Sequence, residues 1–128
     1  MKAEAHCSKA LRIERSLARL SDKDYEAVIE AAMLAGTHWF NILLHRAQFL
    51  PETRDAMHAE FLLLGERRRV AAALPDVLAA LDTIESLRTL HVRGDMAGGE
   101  GAAQTARECL ERLRRAAAER AGPISPAE

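Results

Sequence analysis

The sequence predicts an all-α fold, an antiparallel, up-and-down bundle of four to five helices. The 128-residue chain is rich in Ala, Leu, Arg and Glu, which favour helices, and poor in the β-branched and aromatic residues that favour strands. Its content of 48% apolar and 29% charged residues is typical of a folded domain of this length. We therefore expect one helical domain over residues 1–121 and a disordered tail over 122–128.

The first two predicted helices are separated by a capping signal. Residues 2–20 carry an apolar stripe at helical spacing. Ser21 and Asp24 then fit a capping box, in which a hydroxyl and a carboxylate accept the first amides of the next helix. That helix is predicted from Asp22 to Phe49, where Pro51 ends it. It would be the longest element of the bundle.

A helical wheel divides the second predicted helix into two faces. The apolar face holds Val28, Ala32, Ala35, Trp39, Ile42 and Leu43. The opposite, polar face holds Glu26, Glu30, Thr37, Asn41 and Gln48. His38 and His45 lie close to each other beside the polar row, at the boundary of the buried face. Small residues on this helix should let a neighbouring helix approach closely; they are Ala31, Ala32, Ala35 and Gly36.

Three further helical stretches complete the predicted bundle. A helix over 52–63 continues to Ala73, either through Gly65 or after a break there. The stretch 74–94 is a clearer helix, with a proline in its first turn and a glycine at its end. A Gly-rich connection over 94–101 leads to the last helix, predicted over 102–122.

Charge and composition exclude several classes of function. Eighteen basic and 19 acidic residues give a formal net charge of −1, so general nucleic-acid or membrane-surface binding has no electrostatic basis. Cys7 and Cys109 lie far apart and form no redox or zinc motif, which indicates reduced thiols in a cytoplasmic protein. We expect no membrane association, because neither a signal sequence nor an apolar run of about 20 residues is found.

Four residues predict a polar site between helices: His38, Asn41, His45 and His58. Histidines that share an ion on one helix are usually three or four residues apart, whereas His38 and His45 are seven apart. Helix rise alone then separates them by roughly 10 Å, too far for joint ligation without a third element. The sequence favours boundary histidines that hydrogen-bond to neighbouring helices, and we expect no metal and no other cofactor.

Arg88, His91 and Arg93 form a second candidate site. They lie at a predicted helix end beside the Gly-rich connection, where functional residues are common. Guanidinium groups match the geometry of phosphate, so this group could bind a nucleotide or RNA. The competing interpretation of this and the other arginine runs is a solvated helix surface paired with nearby glutamates.

Three stretches of the chain resemble the HEPN-like proteins of bacteria: "EAAMLAGTHWFNILLHR", "DAMHAE" and "IESLRTLHVRGD". The resemblance covers roughly residues 20 to 115. It implies a small helical bundle, commonly a homodimer, that partners a nucleotidyltransferase in a toxin–antitoxin pair or acts as an RNase. The Arg-x4–6-His motif of that family is absent, so the resemblance assigns no catalytic residue to this chain.

The sequence thus favours a self-associating, partner-binding module without catalysis. The basis is a long helix with small residues, a balanced charge and the absence of a catalytic constellation. An RNase or nucleotide-binding component that uses Arg88, His91 and Arg93 is one alternative, with His91 as acid or base. A small-ligand or metal site between helices is the other.

Overall fold

The computed structural model describes residues 1–57, 62–122 and 124–127, and these ranges are all-helical, without a β-strand. The predicted all-α class is confirmed. Five α-helices are found in the described residues: α1 Ala3–Leu17, α2 Tyr25–Arg46, α3 Leu64–Ala73, α4 Pro75–Leu87 and α5 Gly99–Arg120. Most of the core lies where α2 packs against α5, α1 and α4, in that order of extent.

The polar face predicted for the second helix is exposed at Glu26 and Gln48, but the prediction is wrong in the middle of α2, which is buried among other helices. Thr37 and Asn41 are only 8% and 1% exposed. A stretch of helix surrounded by other helices has no solvated face, so its polar side chains need partners inside the protein. The Thr37 hydroxyl donates to the Met33 carbonyl oxygen at 2.8 Å. Asn41 has partners outside its own helix, and they matter for the site.

The close helix approach predicted from the small residues of α2 is found at Gly36. A Cβ atom built there would lie 2.9 Å from Cδ1 of Leu113 on α5 and within 4 Å of Ile84 and Leu81 on α4. The glycine therefore lets three helices meet with their leucine and isoleucine side chains in contact.

Both ends of α2 are set by local hydrogen bonds. The Ser21 and Asp24 capping box is confirmed, and it begins with a short 3-10 turn over Asp22–Asp24. The helix ends at Arg46 rather than at the predicted Phe49. Gln48 has a left-handed backbone, with φ of 62°, and the Phe49 amide turns back to donate to the Leu44 carbonyl at 2.8 Å. A left-handed residue of this kind terminates a helix.

The prediction of a helix over 52–63 is wrong in the residues that the structure describes. Residues 51–57, 62 and 63 form turns and extended chain, and α3 begins only at Leu64; residues 58–61 lie outside the described ranges. The physical reason lies in long-range contacts. Asn41 of α2 hydrogen-bonds both backbone groups of Ala56, at 2.7 and 2.8 Å, which fixes this segment in a non-helical conformation.

The stretch predicted as one helix over 74–94 changes geometry near its end. Pro75 opens α4 at its first turn, as predicted. From Arg88 to Arg93 the chain widens into a π-helical turn, and the Gly94 amide donates to Thr89, five residues back, at 3.0 Å. Such turns often occur at functional sites. A Cβ at Gly94 would lie 2.7 Å from the Leu90 carbonyl oxygen, so glycine suits this helix end.

The helix Asp22–Arg46 is long and apolar enough to cross a membrane by length and composition, with a mean hydropathy of 1.4. Within its most apolar window, 72% is buried inside the protein. The central helix of a bundle has the same properties, so this feature is weak evidence for a membrane segment.

The chain end packs on the first helix. Described residues 124–127 of the predicted tail lie against α1, where the Ala127 amide donates to the Glu4 carbonyl at 3.2 Å. The Ser8 hydroxyl in turn donates to the Ala127 carbonyl at 3.0 Å. Ile124 packs against the hydrophobic core.

Candidate metal centre

Three histidines and one aspartate meet where α1, α2 and the segment 51–57 come together. They are His6, His38, His45 and Asp55. The side chains of His6 and His45 are almost fully buried, at 2% and 1% exposure, while Asp55 is 23% exposed. Four titratable side chains in contact inside a small bundle require a specific arrangement of protons or ions.

His6 enters the cluster because it lies on the buried face of α1. Ala3, His6, Cys7 and Ala10 follow the i, i+3, i+4, i+7 pattern, and all four are buried against the rest of the bundle. Packing of α1 on α2 places the His6 ring between the two α2 histidines. Its centroid lies 5.1 Å from that of His38 and 5.4 Å from that of His45.

One oxygen of Asp55 joins the two most buried histidines. Oδ1 lies 2.8 Å from Nε2 of His45 and 3.0 Å from Nε2 of His6. These three atoms all lie within 4.8 Å of one another. The Met1 amino group is 3.2 Å from the same oxygen. The carboxylate is therefore the centre of the cluster.

Asn41 holds Asp55 in place through the neighbouring residue. The Asn41 Oδ1 accepts from the Ala56 amide at 2.7 Å, and its Nδ2 donates to the Ala56 carbonyl at 2.8 Å. Nδ2 also donates to the Thr37 carbonyl at 2.8 Å. Because the side-chain amide is fully used in these bonds, Asn41 positions the aspartate and has little capacity left for a ligand.

The two ring nitrogens of His45 both face oxygen acceptors. Nδ1 lies 3.2 Å from the Leu50 carbonyl oxygen, and Nε2 lies 2.8 Å from the Asp55 carboxylate. A neutral imidazole has only one N–H, so it can donate to one of these oxygens and must turn a lone pair towards the other. The arrangement is satisfied either by a doubly protonated ring or by a cation at Nε2. In the second case Nδ1–H donates to Leu50, as in many metal-binding histidines.

His6 and His38 face each other through their Nδ1 atoms, which are 2.8 Å apart. One nitrogen must donate and the other accept. If Nε2 of His6 holds a cation, its proton lies on Nδ1 and is donated to His38. His38 then carries its own proton on Nε2, which is left for another partner. One bound ion would therefore determine which ring nitrogen carries the proton in His6, His38 and His45.

The pKa values of His6 and His38 favour neutral imidazoles beside a charged carboxylate. Burial, together with the neighbouring His6 and Lys9, lowers the pKa of His38 to about 4. Burial also lowers the pKa of His6, although Asp55 opposes the shift. Burial would raise the pKa of Asp55, but hydrogen bonds from His45, His6 and the Met1 amino group give a net decrease. These are the protonation states that bind metal ions.

The spacing of the three candidate ligand atoms fits an ion with cis ligands. Two ligands about 2.1 Å from one ion and at right angles to each other are about 3.0 Å apart. The distances from Asp55 Oδ1 to the two histidine Nε2 atoms are 2.8 and 3.0 Å. Both distances are close to that value.

A cavity of about 370 Å³ opens beside the cluster. His38 and two of the candidate ligands, His6 and Asp55, line it, whereas His45 does not. The lining also includes the apolar side chains of Met33 and Leu34. A volume of this size accommodates a small organic molecule.

Of the predicted group Arg88, His91 and Arg93, the two arginines lie within 4.0 Å of the same Glu85 oxygen, and His91 bonds elsewhere. Arg88 lines the cavity and donates through Nε to Glu30 at 2.6 Å. His91 is buried and its Nδ1 bonds to the Met96 carbonyl at 3.0 Å. Arg93 lies on the surface, 4.0 Å from a Glu85 oxygen that is also 3.8 Å from Arg88. Each of these residues therefore has a partner within the chain.

The structure brings together His38, Asn41 and His45 of the predicted inter-helix site, while His58 lies outside the described residues. His6 and Asp55 were not among the residues predicted for the inter-helix site. His6 had a signal, namely its position in the apolar spacing of α1. Asp55 had only a weak signal, its three-residue spacing from His58 in "DAMH", because its role depends on the fold of a non-helical segment. His6 lies between His38 and His45, the α2 histidines that are seven residues apart.

The chain matches no protein-family model, and it has no significant match among curated proteins or solved structures.

Proposed function

We propose that this protein binds one divalent transition-metal ion through His6 Nε2, His45 Nε2 and Asp55 Oδ1. The observation that carries the proposal is His45, whose two nitrogens face oxygen acceptors at 3.2 and 2.8 Å. A cation would accept the Nε2 lone pair, which otherwise faces an Asp55 oxygen. The Nδ1–H would then donate to the Leu50 carbonyl. The cation also offsets the charge of a partly buried carboxylate.

The ligand set limits the kind of ion. Two imidazoles and one carboxylate suit Zn²⁺, Fe²⁺, Co²⁺ or Mn²⁺, whereas Ca²⁺ and Mg²⁺ prefer oxygen ligands. Three protein ligands leave positions open for water or a bound molecule, as in catalytic rather than closed structural sites. The cavity lies beside these open positions. We propose a Lewis-acid role for the ion, which would polarise whatever occupies the cavity.

The proposal is tested by titrating metal-free protein with Co²⁺ and Zn²⁺, using calorimetry and the visible absorption of cobalt. The expected result is one ion per chain, with an affinity at least about 100-fold weaker in Asp55→Asn. Asp95→Asn is the matched control, since Asp95 is exposed and distant in sequence. Equal affinity in Asp55→Asn and the wild type, or no binding by the wild type, contradicts the proposal.

A second candidate function, self-association and partner binding, is favoured by exposed apolar side chains. Leu63 and Leu64 at the start of α3 are 65% and 66% exposed, and Met57 is 61% exposed. Exposed apolar groups of this size often mark interfaces. We propose that this surface is where a homodimer, or a partner such as the nucleotidyltransferase implied by the HEPN-like resemblance, would bind.

Light scattering coupled to size-exclusion chromatography tests this second candidate. We expect a dimer in the wild type and a monomer in the Leu63→Ser, Leu64→Ser double variant, because the change removes apolar area from the interface. A monomeric wild type at all concentrations argues against self-association. The absorbance ratio at 260 and 280 nm in the same run reports co-purified RNA or nucleotide.

Two further proposals concern the order of the helices in the bundle and the cellular location of the protein. We propose an antiparallel, up-and-down order of the helices, which is supported by short connections, such as the single residue Leu74 between α3 and α4. We propose a cytoplasmic location, which is supported by two buried cysteine thiols that are not paired in a disulfide.

A further inference from the structure

We propose that the cavity beside the metal site binds a small organic acid, with its carboxylate on the ion and its apolar part on the apolar side chains of the lining. This inference rests on the proposed metal site. The other residues that line the cavity favour one class of ligand through their charges, hydrogen-bond donors and apolar side chains.

The charge around the cavity is positive once the ion is bound. The ion contributes two positive charges and Asp55 one negative charge. Arg88 and Glu30 both line the cavity and pair with each other at 2.6 Å, so their charges cancel. Lys9 and the Met1 amino group, which lies 3.2 Å from Asp55 Oδ1, each add one more positive charge. The sum favours an anion over a neutral or cationic ligand.

A hydrogen-bond donor is available next to the open side of the ion. The Nδ1 of His38 is occupied by His6 at 2.8 Å. If His6 holds the ion, His38 accepts at Nδ1 and carries its proton on Nε2. His38 is half-buried and lines the cavity, so this N–H can donate to a ligand oxygen. A carboxylate accepts such a bond with one oxygen while the other oxygen coordinates the ion.

The rest of the cavity wall is apolar and favours a hydrocarbon part in the ligand. Met33 and Thr37 on α2 and the more exposed Leu34 and Met57 line it. The Thr37 hydroxyl is already bonded to Met33, so it offers no free donor. Thioether side chains adapt their shape to different apolar groups. A volume of about 370 Å³ suits an acid of several carbon atoms rather than a nucleotide.

The experiment uses the Co²⁺-loaded protein and three probes of equal chain length, hexanoate, hexanamide and hexylamine. Hexanoate is expected to change the cobalt absorption spectrum and to bind about tenfold or more tightly than hexanamide, because hydrogen bonds to a charged group are stronger. Hexylamine is expected not to bind. The cobalt spectrum before addition reports the metal site by itself.

Two variants separate the contribution of charge from that of the metal. Lys9→Met should weaken hexanoate binding several-fold with unchanged cobalt affinity, whereas Lys23→Met, at another exposed lysine, should change neither. His38→Leu should weaken hexanoate, and His38→Gln, which keeps an N–H near the same place, should weaken it less.

Each outcome is decisive. If cobalt binds as proposed but hexanoate and hexanamide bind equally or not at all, the organic-acid inference is overturned and the metal site stands. If cobalt does not bind, both proposals fall together. Tight binding of hexanoate that is unaffected by Lys9→Met and His38→Leu would also overturn this assignment of the cavity, because the acid would then sit elsewhere.

Discussion

At the scale of single residues, Asn41 does more to shape the candidate site than any group that would touch an ion. Its side-chain amide makes three hydrogen bonds, two of them to the backbone of Ala56. These bonds hold the chain next to Asp55 in a conformation that its local sequence does not favour. Removal of the Asn41 amide is costly, because the N–H and C=O groups of Ala56 lose their hydrogen-bond partners.

Replacing Asn41 with leucine should therefore lower the free energy of unfolding by about 2–4 kcal/mol, since the Ala56 N–H and C=O lose their protein partners. The same variant should weaken cobalt binding by displacing Asp55. Thr37→Val is the matched control at another buried position of α2, with an expected loss of roughly 1 kcal/mol and unchanged cobalt binding. Chemical denaturation and cobalt titration measure both effects. Equal stability of the two variants would show that Asn41 does not hold the segment.

The sequence identified part of this site for a clear physical reason. His38, Asn41 and His45 share one helix, and helical spacing relates them without knowledge of the fold. His6 lies 32 residues from His38 and 49 from Asp55, so its role depends on which helices pack together. A single sequence contains no direct signal for such contacts.

At the scale of the elements, helical periodicity predicted four of the five helices closely and failed where long-range bonds override it. The segment 51–57 has residues that suit a helix, yet it follows the hydrogen bonds of Asn41. Helical periodicity also predicted Thr37 and Asn41 on the polar face of α2, because it does not show how many other helices surround α2. The central position of α2, against α1, α4 and α5, explains the difference.

The contact of α2 with α4 and α5 should tolerate little extra volume. We expect Gly36→Val to lower the free energy of unfolding by about 1–3 kcal/mol through overpacking, because its Cβ would lie 2.9 Å from Leu113. Gly65→Val in α3 is the matched control, since a Cβ there meets nothing within 4 Å. Both changes replace a helical glycine by the same residue. A difference in thermal denaturation midpoint therefore reports packing, and similar midpoints would contradict close packing at Gly36.

At the scale of the whole molecule, the candidate ligands couple separate parts of the chain. His6 lies in α1, His45 near the end of α2, and Asp55 in the segment that follows. An ion that binds only when these parts are assembled stabilises the folded state over the unfolded state.

Addition of Zn²⁺ at about 100 times its dissociation constant should stabilise the fold by about 2.7 kcal/mol. For a chain of this length, that corresponds to a rise of roughly 10 °C in the melting temperature. A chelator should reverse the effect, and Asp55→Asn should show little of it. Differential scanning calorimetry gives the comparison. An equal rise in the variant would indicate that zinc acts elsewhere on the protein.

The hydrogen bonds between Asn41 and Ala56, the residue next to Asp55, should affect which part of the protein unfolds first. The segment 51–57 has no helix of its own, so its amides depend on a few side-chain bonds and should exchange with solvent through local opening rather than global unfolding. A bound ion would join this segment to α1 and α2 as a reversible cross-link. Hydrogen exchange of the amides near Ala56 should then slow on metal binding, while amides at the far end of α5 remain as they were.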